Sequence, residues 1–211
     1  MKKILLIILL FPLGVFAQFY SGTITFNDGT NKSGLIKLPK YKDSKLNFKS
    51  EKKAKTEKFS IENIKGFEIT NDDDELENYI PMRVGNNKIL NPKKFNIDKK
   101  KSFVKIIKQG KISVYAIRYI SSTSSGRANG GINVVNNVAD AYYLQRENDD
   151  FASSIGTHRH DLNFLVGINF YVAIEFNFAE ICPNFVNLLK EADLSVKEFS
   201  KIVDIYEENC N

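Results

Sequence analysis

The residues of this chain best suited to chemistry are its only two histidines, His158 and His160, with Asp161 beside them. On an extended segment, side chains at i and i+2 point the same way, so two imidazoles and a carboxylate form the beginnings of a zinc site. Spacing fixes no third ligand, and polar residues at the entrance to a strand give the same pattern. A hydrolase would need Ser153 or Ser154 activated by one of these histidines, and neither serine stands in a GxSxG elbow.

Three further constellations imitate sites. Asn71-Asp72-Asp73-Asp74-Glu75 is acidic enough for calcium, but the EF-hand spacing of ligands, glycine and final glutamate is missing, and a solvated turn is expected. Gly126, Gly130 and Gly131 are followed by no GK[ST], so no phosphate loop is read. The lysines cluster twice: nine fall between Lys37 and Lys58, and Lys93, Lys94, Lys99, Lys100 and Lys101 form a second group. Lys52, Lys53 and Lys55 with that second group are candidate anion-binding residues, suited to lipid phosphates or anionic glycans. Lysine without arginine or interleaved exposed aromatics is a weak signal for base reading, and no sequence-specific nucleic acid is expected. Leu46 and Phe48 alternate with Lys45, Asn47 and Lys49, which also fits an edge strand whose outward lysines discourage aggregation.

The elements that must position these residues are built from an ordinary globular composition. Of 211 residues, 43% are hydrophobic and 26% charged, with 12 Gly and 5 Pro, which excludes collagen-like, coiled-coil and disordered chains. Sixteen Phe and nine Tyr supply a core in the absence of Trp.

Residues 1–17 read as a secretory signal: Lys2 and Lys3, an apolar run from Ile4 to Phe11, then Pro12, Gly14 and Ala17 before Gln18. The run is short for a membrane span, no Cys follows it to take a lipid, and no transmembrane segment is expected in the mature chain. Cleavage after Ala17 leaves 28 basic and 25 acidic residues. Export to the periplasm or beyond, with association to the outer membrane as one destination, lets Cys182 and Cys210 pair as a disulfide. Two free thiols or a metal pair are the alternatives, and no CxxC spacing favours them.

Two hairpins stand out. Phe19 to Leu38 alternates around Asn27-Asp28-Gly29, and Phe103 to Ile120 alternates around Gln109-Gly110. Ser60 to Thr70 reads as a bend leading into a strand. Tyr79–Val84 and Lys88–Leu90 read as short strands separated by Gly85-Asn86-Asn87. Ser, Gly and Asn dominate 121–138, which predicts a flexible loop before a returning strand from Ala141 to Glu147. Pro183 to Lys190 predicts a helix with Pro in its first turn, and Ser195-Val196-Lys197-Glu198 is a capping box opening a terminal helix toward Cys210. Between them, Leu162 to Phe178 places apolar residues at nine consecutive alternate positions, a strand pattern on periodicity alone.

The succession GTITFNDGTNKSGLIKLP, FSIENIKGFEI, FVKIIKQGKISVY, YYLQREND, FAEICP and IVDIYEENC resembles a group of uncharacterised exported proteins from Bacteroidota. In that group a β-rich N-terminal part precedes a small helical part bearing two cysteines. The likeness covers most of the mature chain, but its motifs are structural, and it carries over no functional residue. It implies a helix before Cys182-Pro183, so a strand is expected through about Ile168 and a helix from Phe170 to Ile181. The Ser/Gly/Asn stretch and the HRH sequence depart from the group.

The expectation is therefore an α+β protein: a twisted antiparallel β-sheet, or partly open barrel, over 18–148, then a mainly helical segment over 149–211 forming a small C-terminal cap. The expected role is that of an exported, non-catalytic, envelope-associated binding or scaffold module with no cofactor, meeting an envelope protein or an anionic glycan or lipid surface. The alternatives are a small hydrolase or metal-dependent enzyme using His158, His160 and Asp161, and a binder of anionic surfaces through the lysine clusters.

Overall fold

The computed structural model describes residues 18–88, 91–126, 132–159, 165–166 and 170–210, without the side chains of 87–88, 91–93, 120–126, 132–137 and 165–166. Residues 1–17, over which a secretory signal is expected, and His160 and Asp161 lie outside the described residues.

The first hairpin joins β1 (Tyr20–Phe26) to β2 (Asn31–Lys37). Its turn closes with Phe26 N donating to Thr30 O at 2.9 Å, while Asp28 Oδ1 accepts from the Thr30 backbone at 2.9 Å. Gly29 takes φ of 85°, a left-handed conformation in which a Cβ would be strained, so the Asn-Asp-Gly sequence is matched to the turn it makes. β3 (Lys45–Lys49) and β4 (Glu57–Ser60) follow, then a 3-10 turn (Ile61–Asn63) and β5 (Ile64–Thr70). Next come β6 (Leu76–Met82), β7 (Val84–Lys88), β8 (Asn91–Ile97), β9 (Ser102–Lys108), β10 (Ile112–Gly126), β11 (Ile132–Arg146), β12 (Ala152–Arg159) and β13 (Leu165–Val166). Three helices end the chain: α1 (Phe170–Phe178), α2 (Phe185–Ala192) and α3 (Lys201–Asn209).

The strands form one open sheet in the order β4-β3-β2-β1-β5-β6-β9-β10-β11-β12-β7-β8, with β13 added to β12. All neighbours are antiparallel except β7 and β12, which run parallel through Ala152↔Val84 and Ser153↔Gly85. That exception shapes the molecule. Only Arg83 separates β6 from β7, yet β6 pairs with β9 and β7 with β12. The strands between them must therefore coil back on themselves, although β4 and β8 remain edges and the sheet is not a closed barrel.

Alternation gives each half its own core. On one face Ile24, Ile36, Leu46, Phe48, Phe67 and Ile69 are buried over the N-terminal strands, sealed by Ile61 and Ile64 from the 3-10 turn and its exit. The Phe26 and Phe59 rings, from strands three places apart, meet at 5.1 Å, so this half bends toward that face. The C-terminal half bends toward the other face and encloses Met82, Val84, Val104, Tyr115, Ile117, Ala141, Tyr143 and Ala152. The sheet is thus S-shaped in section. Strands β10 and β11 are apolar on both sides because the helical cap covers their remaining face.

The cap buries Phe170, Ala173, Ile174 and Phe178 from α1, a stripe at helical spacing, against Ile112, Val114, Ala116, Tyr142 and Leu144 of the sheet. Phe199 lies between Tyr142, at 4.8 Å, and Phe170, stacked at 5.3 Å. Each such ring removed from water contributes roughly 2 to 3 kcal/mol. The Ser195/Glu198 capping box forms, but it opens a 3-10 turn, Val196–Glu198, ahead of α3.

Three expectations are corrected. Most of 121–138 is strand rather than flexible loop: β10 and β11 pair rung by rung from Ile112↔Arg146 to Gly126↔Ile132, because backbone ladder bonds need no apolar side chain. Gly85-Asn86-Asn87 lies within β7 instead of separating two strands. The sheet also continues past residue 148 into β12 and β13, so 149–211 is sheet first and helices after. The change from strand to helix between Val166 and Phe170 falls where it was expected.

Candidate functional site

Cys182 and Cys210 are disulfide-bonded, with Cα atoms 5.5 Å apart. Both are buried, and the bond ties the end of α3 to the segment between α1 and α2.

His158 stands on β12 directly opposite Asp140 of β11, which stands opposite Arg118 of β10. Residues opposite one another across a ladder share a face, so register lines up a guanidinium, a carboxylate and an imidazole in one row. Arg118 Nε donates to Asp140 Oδ1 at 3.1 Å. Burial disfavours the Arg118 charge, but the bond to Asp140 and that carboxylate's charge outweigh it and hold the guanidinium above its usual range. The acid aligned with the histidine is thus Asp140, eighteen positions upstream of it. Long-range pairing makes that alignment, and local spacing gives no sign of it. Among the described residues no group of three or more His, Cys, Asp or Glu is placed to hold a metal ion.

The same sheet face carries a second charged group on β6 and β9. Glu77 accepts from Lys105 Nζ at 2.6 Å, Tyr79 Oη at 2.6 Å and Asn71 Nδ2 at 3.1 Å. Burial pushes its carboxyl up, and these three donors together pull it below the ordinary value. The Tyr79 ring stacks on Phe67 at 4.7 Å, and burial followed by its bond to Glu77 raises its phenol far above the usual range. Both groups lie between the N-terminal core and the helical cap, where they bind neighbouring strands together.

On the opposite face a chain of polar groups ends the core of the C-terminal half. Tyr119 and Tyr143 hydroxyls meet at 2.7 Å, Tyr143 donates to Asn86 Oδ1 at 3.1 Å, and Asn86 Nδ2 donates to Tyr41 Oη at 3.3 Å. Tyr41 in turn donates to Asp98, whose other oxygen takes Lys42 Nζ at 3.1 Å. Burial raises all three phenols, so they are neutral donors at physiological pH.

The lysine candidates do not converge. Lys52, Lys53 and Lys55 are exposed in the connection from β3 to β4. Lys94 lies on β8, Lys99 and Lys100 are exposed beyond it, and Lys101 meets Glu62 at 3.5 Å. Glu62 belongs to the 3-10 turn at the far end of β4 from Lys55, so the length of that strand, about 13 Å, lies between Lys55 and the partner of Lys101. Lys93 is within β8, but its side chain is not among those described.

A depression of about 350 Å³ lies on the outward side of β2, β1, β5 and β6. Ser21, Thr23, Ser33 and Thr70 supply hydroxyls around it, with Glu68 and Leu76, and Thr23 Oγ1 and Ser33 Oγ meet at 3.0 Å. Alternation on β1 and β2 signalled these residues as outward-facing, but nothing local showed that they would gather. No family model, curated protein or solved structure matches the chain.

Proposed function

We propose that the protein is an exported, non-catalytic binding module of the cell envelope, and that residues 1–17 are a secretory signal removed after Ala17. The reading is carried by the contrast between its two kinds of polar group. Inside the fold, Glu77 is hydrogen-bonded by three donors and joins two strands, and Asp98 is bonded by Tyr41 and Lys42 and joins two connections. On the outward face, the hydroxyls around the depression of about 350 Å³ face solvent on a rigid sheet, an arrangement suited to recognising a polar partner. The buried disulfide is compatible with an extracytoplasmic compartment, and no helix among the described residues is long and apolar enough to cross a membrane.

The test is capture from envelope fractions under non-reducing conditions, with the mature chain and a Ser21→Arg/Ser33→Arg variant as baits. A defined envelope component retained by the first and lost by the second is expected. Equal retention by both would overturn this face as the binding surface. Mass spectrometry of the native protein is expected to find Gln18 at its N-terminus, and an intact Met1 would overturn export.

A further inference from the structure

Strand register assembles a group of lysines that sequence spacing alone does not reveal. Asn47, at the centre of β3, pairs with Lys37 of β2 on one side and Lys58 of β4 on the other. Lys45 and Lys49 stand two residues before and after it on the same strand. Opposite and i±2 residues share a face, and Leu46 and Phe48 are buried on the other one. The four lysines therefore surround Asn47 on the outward side, in a cross about 10 Å wide and about 13 Å long.

Some lysines elsewhere are matched with acids: Lys32 with Glu57, Lys42 with Asp98, Lys101 with Glu62, Lys105 with Glu77, Lys108 with Asp204 and Lys201 with Glu198. Among the described residues no carboxylate forms an ion pair with Lys37, Lys45, Lys49 or Lys58, while Lys49 lies over the Phe19 ring at 5.0 Å. Like charges on adjoining rungs repel one another, and a bound anion would relieve that repulsion. A depression of about 210 Å³ lies here, lined by Lys45, Lys58, Asn47, Ser44 and Asp43. Asp43 is already engaged, accepting the Lys40 backbone N–H at 2.8 Å.

The cross shares its face with the hydroxyl-lined depression, because Lys49 stands opposite Leu35 and Leu35 opposite Ser21. Among the described residues the exposed large apolar side chains are Phe176 and Ile181 on the cap and Leu76, which lines the hydroxyl depression, and none of them lines the lysine cross as a bilayer-inserting anchor would. We propose that Lys37, Lys45, Lys49 and Lys58 bind the acidic groups of an anionic polysaccharide whose neutral sugars extend toward Ser21, Thr23 and Ser33. This rests on the binding-module reading and adds the class of ligand.

The test is titration calorimetry of the mature chain with polygalacturonate, dextran sulfate and neutral dextran at low and high salt. Binding to the two acidic polymers only, weakening as salt rises, is expected. Lys45→Glu/Lys58→Glu should weaken it by about tenfold or more, and Lys45→Gln/Lys58→Gln by less. Lys65→Glu/Lys197→Glu, with the same change in net charge, should keep the wild-type affinity. Thermal midpoints of all variants confirm that each is folded. Equal loss in the two Glu pairs, no binding to either acidic polymer, or tighter binding to phosphatidylglycerol vesicles would overturn the proposal. If the Lys45/Lys58 variants still capture the envelope component that Ser21→Arg/Ser33→Arg loses, the binding-module reading stands and the polysaccharide assignment falls.

Discussion

The hydroxyl of Tyr119 donates to that of Tyr143 across 2.7 Å, in that direction, because the Tyr143 proton is already given to Asn86 Oδ1 at 3.1 Å. One bond orders the other. The two tyrosines stand on β10 and β11, Asn86 on β7, and Tyr41 and Asp98 in the connections after β2 and β8, so one polar chain joins the rim of the coiled half of the sheet. Apolar contact alone would leave the arrangement of these five segments loosely specified, whereas each donor here has a defined acceptor.

Tyr143→Phe keeps the buried ring and removes the middle of this chain. It leaves Asn86 Oδ1 without its donor and Tyr119 without its acceptor, for a cost of about 2 kcal/mol. Urea unfolding should show a lower midpoint with an unchanged m-value. A variant as stable as wild type would mean that the chain does not hold the rim together.

Reduction should act on the cap. The Cys182–Cys210 bond has a sequence separation of 28, and closing such a loop stabilises by about 3.5 kcal/mol through restriction of the unfolded chain. Cys182→Ser/Cys210→Ser is expected to lower stability by that order and to speed hydrogen exchange in α2 and α3 more than in β1–β5. Uniform acceleration over the whole chain would instead make sheet and cap one cooperative unit.

What the sequence discloses and what it hides divide by distance along the chain. Asn27-Asp28-Gly29, Gln109-Gly110 and the Ser195/Glu198 box act within a few residues, and each marks a turn or cap that the structure contains. The paired cysteines were legible for a similar reason, being the only two. The parallel pairing of Val84 with Ala152 was not, since no local pattern records which remote strand closes a coil. In β12 a register shift and Gly156, at φ of 150°, interrupt the alternation that would have marked it as a strand. The same limit hid the Arg118–Asp140–His158 row and the four lysines around Asn47. Both exist only once register is set.

Gly110 bears on the docking of α3. A Cβ there would lie 2.0 Å from Glu207 Oε1 and 2.8 Å from Val203 Cγ1, both on α3. Glu207 also accepts the Lys111 backbone N–H at 3.1 Å, so its side chain is held where the methyl would go. Gly110→Ala should cost roughly 1 to 3 kcal/mol by overpacking. Added to Glu207→Ala it should cost measurably less, because the nearest clash is then gone. Strict additivity in this double-mutant cycle would refute the steric account.

Glu77 gives stability a defined dependence on pH. Lys105, Tyr79 and Asn71 overcome the effect of burial and hold its folded pKa below the ordinary 4.5. A depressed carboxylate contributes stability that is fully present above its unfolded pKa and is lost as pH falls through the folded value. The advantage of wild type over Glu77→Gln should therefore be about 2 kcal/mol at pH 7 and decline progressively below about pH 4.5. Denaturant titrations of both proteins at pH 7, 5 and 3 measure it. A difference constant over that range would show that the carboxylate charge does not stabilise this joint, and that Lys105 is held between β6 and β9 by its aliphatic stem.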